Sequence, residues 1–329
     1  MSKVTILITL EPTDPDAQPF RDAIAADPVL RESVELHFAT GDAVAKPIAQ
    51  AEIAWCGNLS PNMIDKAQRL RWISFWSAGV DGKITPQLLE RRFLLTTASG
   101  VHGANIGEHI MAWMLMFTRD MHYHVRSQVA GEWKRSAVMS AVSELTGQTL
   151  GIVGYGRIGE GLAVRAKAFG MRVVALKRNP ALRYNENVTV DQLYAPSELR
   201  QLLAESDHVC ISLPLTPDTY HLFNAETLSY MKPTAYLYNV ARGKIIDEQA
   251  LIAALQEGRI AGAGLDVFEQ EPLAADSPLW KLENVIITPH TAGQTPYYFV
   301  RAAELFAENL HRYLRGETLH NLYRHERGY

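Results

Sequence analysis

Residues 149–178 read TLGIVGYGRIGEGLAVRAKAFGMRVVALKR: an apolar run, a glycine-rich turn, a helix-forming stretch and a second apolar run. Within it, Gly154, Gly156 and Gly159 form G-x-G-x-x-G directly after the first run. The first glycine permits a tight turn, the second lets the backbone approach a diphosphate, and the third lets helix and strand pack closely. A helix over about 160–169 would then face the phosphates with its N-terminus, where unpaired N–H groups and the helix dipole favour anions. A motif of this kind is weak alone, but strand, turn, helix and second strand in the right order make a dinucleotide site. About twenty residues past the motif, an acid would hold the adenosine ribose of NAD, whereas a cation accommodates the 2′-phosphate of NADP. Lys177 and Arg178 stand there, and ALKRNP contains no acid. NADP(H) is therefore the expected cofactor, with NAD(H) the alternative.

The rest of the chain repeats the alternation of strand and helix. Residues 4–9, 34–39, 52–56, 70–76 and 93–97 are strand-like and separated by helix-like stretches, which predicts a small parallel α/β unit. From 106 to about 130 the pattern is helical, with Met and aromatics on more than one face. A second series has strand candidates at 149–153, 172–176, 208–213, 235–238, 261–267 and 285–288, about the number a dinucleotide-binding sheet requires. One amphipathic helix, roughly 298–314, follows with a charged tail. A chain of 329 residues has room for about two such domains.

Charge and cysteine usage narrow the partners. The net charge of −4 is spread without a basic block, so nucleic acid is not an expected partner. Cys56 and Cys210 each sit inside an apolar run, as buried thiols of a reducing compartment would, and the cytoplasm is the expected location. The apolar stretches near the N-terminus and at 110–117 are too short to cross a membrane. His122 and His124 are two apart on a helical pattern and point to different faces, and no other cluster has metal-ligand spacing. No metal is expected.

Three polar residues stand just beyond apolar, strand-like runs: Arg242 in NVARG, Glu271 in LDVFEQEP and His290 in IITPH. Open α/β sheets gather ligands outside the carboxyl ends of their strands, so these residues can converge despite their separation in sequence. A cation, a carboxylate and an imidazole suffice for acid/base work on an anionic carbonyl substrate.

The run MKPTAYLYNVARGKIIDEQALIAALQEGRIAGAGLDVFEQEPL, with GIVGYGRIG before it and SPLWKLENVIITPHTAG after it, resembles the D-isomer-specific 2-hydroxyacid dehydrogenases, in particular their glyoxylate/hydroxypyruvate reductase-like, NADP-preferring branch. WSAGVDG and SGVHGANIGEH extend the likeness into the first hundred residues. The resemblance implies an α/β fold of two Rossmann-like, doubly wound parallel-sheet domains. It makes the substrate domain discontinuous, 1–103 with 295–329, and 104–294 the dinucleotide-binding domain, with a homodimerisation helix and arm at about 105–147.

The same resemblance assigns His290 as general acid/base, Glu271 as the carboxylate paired with it, and Arg242 as the holder of the substrate's carboxylate and carbonyl oxygen. A carboxylate beside the imidazole favours its protonated form, so reduction of a 2-oxo acid is expected to slow at high pH. Backbone amides at Ala78 and Gly79, in the loop that ends at Asp81, match the segment that binds the substrate carboxylate. Asp266 matches the contact to the nicotinamide carboxamide, Arg157 and Ile158 the phosphate-facing turn, and Val240 and Ala241 the nicotinamide ribose. Ile106, Leu213 and Pro214 match cofactor-wall positions. Phe75, Trp76 and His102 are expected as pocket walls, with Val138 or Met139 supplied by a partner subunit. Related formate enzymes carry glutamine in place of Glu271, which favours 2-hydroxy acid chemistry here. The alternative is a nucleotide-sensing corepressor-like protein, which shares the fold and the triad.

Overall fold

A computed structural model describes residues 3–80, 82–134, 142–179 and 190–324. Its contacts divide the chain into two compact units, 1–101 with 295–329, and 102–294. Among the described residues no helix is long and apolar enough to cross a membrane.

The first unit is built on β1 (Val4–Ile8), β2 (Val34–Phe38), β3 (Ile53–Cys56), β4 (Trp72–Phe75) and β5 (Leu94–Thr97), all parallel in the order β2-β1-β3-β4-β5. That order is the doubly wound one of flavodoxin-like sheets. β3 and β4 are buried at every position, as strands covered on both faces should be. One face is covered by helices Gln18–Ala26 and Tyr298–Leu314, the latter turning Ala302, Ala303, Phe306 and Leu310 inward. Phe306 meets Phe20 and Trp72 with ring centroids 6.1 and 5.2 Å apart. Truncating such a fully packed aromatic costs about 3–5 kcal/mol, so the C-terminal helix is part of this unit's core despite its distance in sequence. The chain then runs beside β5, where Tyr323 N–H donates to Leu95 O at 2.7 Å.

Among the described residues the second unit carries seven parallel strands: β6 (Thr149–Val153), β7 (Arg172–Leu176), β8 (Gln192–Tyr194), β9 (His208–Ile211), β10 (Tyr236–Asn239), β11 (Gly262–Leu265) and β12 (Val285–Ile287). They are ordered β12-β11-β10-β9-β6-β7-β8, so the order reverses between β6 and β9. Ligands of such sheets bind at that reversal, beyond the carboxyl ends of the strands. β8 is absent from the sequence reading: it is a three-residue edge strand with no buried position. The helical stretch expected from 106 to about 130 is two helices, Gly103–Thr118 and Met121–Val129. Asp120 separates them in the left-handed conformation, φ 55°. Helix Gly103–Thr118 crosses helix Arg157–Ala168 at backbone distance; a Cβ at Gly161 would lie 2.1 Å from Gly103 O.

Candidate active site

Each residue of the sequence-derived triad lies just past a strand of the second unit. Arg242 follows β10. Asn239, 1% exposed at the end of that strand, accepts Ala241 N–H on Oδ1 at 3.0 Å and donates from Nδ2 to Arg242 O at 3.0 Å. Its amide thus folds the turn that presents Arg242, which is partly exposed and donates from Nη1 to Ala241 O. Gly243 follows because no side chain fits there: a Cβ would stand 1.8 Å from Phe268 C. The backbone beside Arg242 therefore touches the loop that follows β11.

That loop carries Glu271. One carboxylate oxygen, Oε1, accepts Phe268 N–H at 3.1 Å; the other, Oε2, meets His290 Nδ1 at 2.7 Å. His290 lies beyond β12 and has a positive φ of 54°, a conformation uncommon for a residue with a side chain. The loop around it is held from beneath by Asp266, which is 2% exposed. Asp266 Oδ1 accepts Thr288 Oγ1–H at 2.6 Å and Thr291 N–H at 2.8 Å, Oδ2 accepts Ala292 N–H at 3.0 Å, and Asp266 O accepts His290 N–H at 2.9 Å. A carboxylate has room for about four donors, so these three do not fill it. His109, from helix Gly103–Thr118, reaches Thr288 Oγ1 through Nε2 at 3.2 Å and packs edge-on against Trp113. Burial holds the His109 imidazole below its usual range, against the opposing pull of the Asp266 charge.

At the reversal of strand order the three motif glycines divide the work. Gly154 has φ +108°, and a Cβ on it would strike Ser212 C at 2.8 Å, so the turn passes directly under the end of β9. A Cβ on Gly159 would lie 3.0 Å from Gly154 O. Gly156, which caps helix Arg157–Ala168, faces open space: a Cβ there would meet nothing within 4 Å. That open ground beside a helix N-terminus fits a diphosphate. Arg157 is exposed, with Nη1 3.6 Å from Glu160 Oε2, and Ile158 is half-buried. Leu213 is half-buried and Pro214 exposed beyond β9, whereas Ile106, Val240 and Ala241 are buried. Lys177 is 8% exposed with its ammonium 5.6 Å from the Tyr155 ring centre; Arg178 is exposed.

In the first unit, Ala78 is exposed and Gly79 half-buried in a loop beyond β4. Ser77 shapes it, donating from Oγ to Gly79 O at 2.6 Å and accepting Ala98 N–H at 3.0 Å. Phe75 does not line a pocket: it is fully buried in β4, because alternate strand positions face opposite layers and both layers are covered here. Trp76 lies over Gly57, where a Cβ would come within 2.2 Å of the indole. His102 is half-buried at the start of the second unit. Asp81, Val138 and Met139 lie outside the described residues. Among the described residues, no group of three His, Cys, Asp or Glu side chains could hold a metal ion.

The sequence reading missed Asn239, Thr288 and His109. Asn239 and Thr288 had one signal, a polar residue closing an apolar run; His109 had none, since a histidine within an apolar helix most simply reads as core.

Comparison with known proteins agrees with this architecture. A family model described as D-isomer specific 2-hydroxyacid dehydrogenase, NAD binding domain, matches residues 111–292. A glyoxylate reductase of Korarchaeum cryptofilum is 39% identical over 270 residues, 82% of this chain and 80% of that protein. The crystal structure of a family protein from Aeromonas salmonicida superposes with a TM-score of 0.79 at 32% identity, covering 98% of this chain and 99% of that one. A family enzyme from Xanthobacter autotrophicus, solved with NADPH and MES, gives a TM-score of 0.79 at 28% identity over the whole of both chains. The chain belongs to the D-isomer specific 2-hydroxyacid dehydrogenase family.

Proposed function

We propose that this protein is a reductase of small 2-oxo acids of the glyoxylate or hydroxypyruvate type, forming the D-2-hydroxy acid with NADP(H) as preferred cofactor. The observation that carries this reading is the 2.7 Å contact between His290 Nδ1 and Glu271 Oε2. An ionised carboxylate only accepts, so Nδ1 holds a proton and Nε2 becomes the nitrogen that exchanges one with substrate. The nicotinamide, when bound, supplies a hydride. As the carbonyl oxygen gains charge, imidazolium Nε2 donates its proton to it, and solvent restores the proton afterwards. The Arg242 guanidinium offers several donors in one plane, suited to a carboxylate and an adjacent oxygen, and stabilises the charge that develops. Ala78 and Gly79 are proposed to bind the substrate carboxylate through their backbone amides. Oxidation of the hydroxy acid reverses these steps, with neutral His290 as base.

The cofactor is proposed to lie along Gly154, Gly156, Arg157 and Ile158, with Asp266 at its carboxamide, Val240 and Ala241 at its ribose, and Ile106, Leu213 and Pro214 as walls. Arg178, with Lys177 behind it, is proposed to meet the 2′-phosphate; the exposure of Arg178 and the NADPH of the Xanthobacter relative support this. A cytoplasmic location is supported by two buried, unbridged cysteines. A homodimer is supported by helix Met121–Val129, whose Met121, Val125 and Val129 lie four apart and are exposed.

The test is a panel of 2-oxo acids assayed with NADPH and with NADH. Rapid NADPH oxidation with glyoxylate or hydroxypyruvate is expected. Nucleotide binding without turnover on any 2-oxo acid would overturn the reading in favour of the corepressor-like alternative, which no separate observation favours.

A further inference from the structure

A second histidine–carboxylate pair stands at the same end of the second sheet as the first. His221 Nε2 lies 2.9 Å from Glu269 Oε1, within ion-pair distance but not aligned as a hydrogen bond. His221 belongs to the loop between β9 and β10, and Glu269 precedes Glu271 by two residues. Like His290, His221 has a positive φ, 48°. Its N–H donates to Lys244 O at 2.9 Å and its ring stacks on Tyr220 at 4.0 Å between centres. Two residues on, Phe223 N–H donates to Ile245 O at 3.0 Å and Phe223 O accepts Asp247 N–H at 2.9 Å. The loop after β9 therefore runs, hydrogen-bonded, along the segment that begins at Arg242.

Glu269 also meets Glu248, the first residue of helix Glu248–Gln256, through the same carboxylate oxygen that faces His221. Glu248 N–H donates to Glu269 Oε1 at 3.1 Å, and Glu269 N–H donates to Glu248 Oε2 at 3.3 Å. Between these fastenings a Cβ on Gly243 would lie 2.4 Å from Glu269 N. The backbone that follows Arg242 and the backbone that precedes Glu271 are thus in contact, with His221 and Glu248 both drawn to the Glu269 carboxylate.

We propose that the His221–Glu269 pair is a positioning clamp, which holds the segment carrying Arg242 against the loop carrying Glu271 and so fixes the guanidinium relative to the Glu271–His290 pair. The inference rests on the reductase reading. Lys244 is two positions from Arg242 and Glu269 two from Glu271, a span of about 7 Å at full extension, so a displacement at the clamp is passed on with little slack. A misplacement of about 1 Å at a reacting group lowers the rate on the order of 100-fold. His221 has no contact with substrate in this scheme and is a positioning residue.

The test compares wild type with His221→Ala, His221→Gln, Glu269→Ala and the double alanine variant, in NADPH-dependent reduction of glyoxylate and hydroxypyruvate. The alanine variants should lose about 10- to 100-fold in kcat/KM, mostly through KM for the 2-oxo acid, with the Kd of NADPH unchanged. His221→Gln, which keeps a donor toward Glu269, should recover most of the loss, and the double variant should be no worse than the worse single one. Unchanged kcat/KM in His221→Ala, no rescue by glutamine, or weakening of NADPH binding in step with activity would each overturn the clamp. Failure of the wild type to reduce any 2-oxo acid would overturn the reductase reading itself, an outcome distinct from an active wild type with indifferent variants.

Discussion

Glu271 divides its carboxylate between Phe268 N–H at 3.1 Å and His290 Nδ1 at 2.7 Å, so the loop after β11 and the imidazole beyond β12 are oriented by one group. The bond fixes the tautomer as well as the ring plane, leaving Nε2 for proton exchange. His290→Gln should lower kcat for 2-oxo acid reduction by about 10²- to 10⁴-fold, with the Kd of NADPH unchanged. Glu271→Gln keeps an acceptor for Nδ1 but loses the charge, and should cost less than His290→Gln. Steady-state kinetics with titrated NADPH binding checks both; near-wild-type kcat in His290→Gln would remove the histidine from the chemistry.

Asp266 acts one layer below. Its carboxylate accepts three hydrogen bonds from residues 288–292 while almost fully buried. In Asp266→Asn an NH₂ group must face donors that the carboxylate accepted, and each buried group left unpaired costs about 1–3 kcal/mol. Stability and kcat should fall together, because the same bonds hold the His290 loop. Thr288→Val spares both backbone bonds and should do less. Urea unfolding and kcat measured on the same preparations decide it: lost stability with intact kcat would show that the loop keeps its shape without Asp266.

Arg178 and Lys177, adjacent in sequence, differ in burial. Arg178→Ala should raise KM for NADPH and leave KM for NADH unchanged. Loss of one charge-assisted contact, about 1.5–3 kcal/mol, corresponds to roughly 10- to 150-fold. Lys177, packed against Tyr155, should on replacement by alanine lower the melting temperature and affect both cofactors. A wild-type preference for NADH would defeat the assignment of Arg178.

The parts of the candidate site that the sequence proposes are local patterns: the glycine motif, the basic pair and three polar residues after apolar runs. Parallel strands buried on both faces advertise themselves as apolar stretches. What escaped depends on tertiary neighbours. β8 is too short and too exposed to show a period, the break at Asp120 is a single left-handed residue, and the burial of Lys177 beside Tyr155, unlike that of its neighbour Arg178, has no signal in the sequence. The hydrogen bonds from Asn239 to the Arg242 turn and from His109 to Thr288 likewise exist only once the strands are ordered.

Helix Met121–Val129 leaves Met121 48%, Val125 49% and Val129 86% exposed, spaced to share one face. Val125→Asp combined with Val129→Asp should convert a dimer to a monomer in sedimentation equilibrium, with little change in the protein's circular dichroism. A wild type that is monomeric at micromolar concentration would dispose of the homodimer.

His208 lies fully buried in β9, its Nδ1 2.9 Å from the Tyr238 hydroxyl and its Nε2 2.6 Å from Gln148 Oε1. A neutral ring satisfies both, Nε2 donating to the amide oxygen and Nδ1 accepting from the phenol. Burial pushes the imidazole down to about 4, whereas the unfolded chain titrates near 6.5. Between those values the unfolded chain binds a proton that the folded protein refuses. The stabilisation is therefore complete above about pH 6.5 and is lost as pH falls toward 4, by roughly 3 kcal/mol in all. His208→Gln cannot take up that proton. It should be less stable at pH 7, because the Tyr238 and Gln148 partners are disturbed, yet its stability should decline less between pH 7 and pH 4 than that of wild type. Urea midpoints at several pH values give both slopes, and equal slopes would show that the acid sensitivity of the fold arises elsewhere.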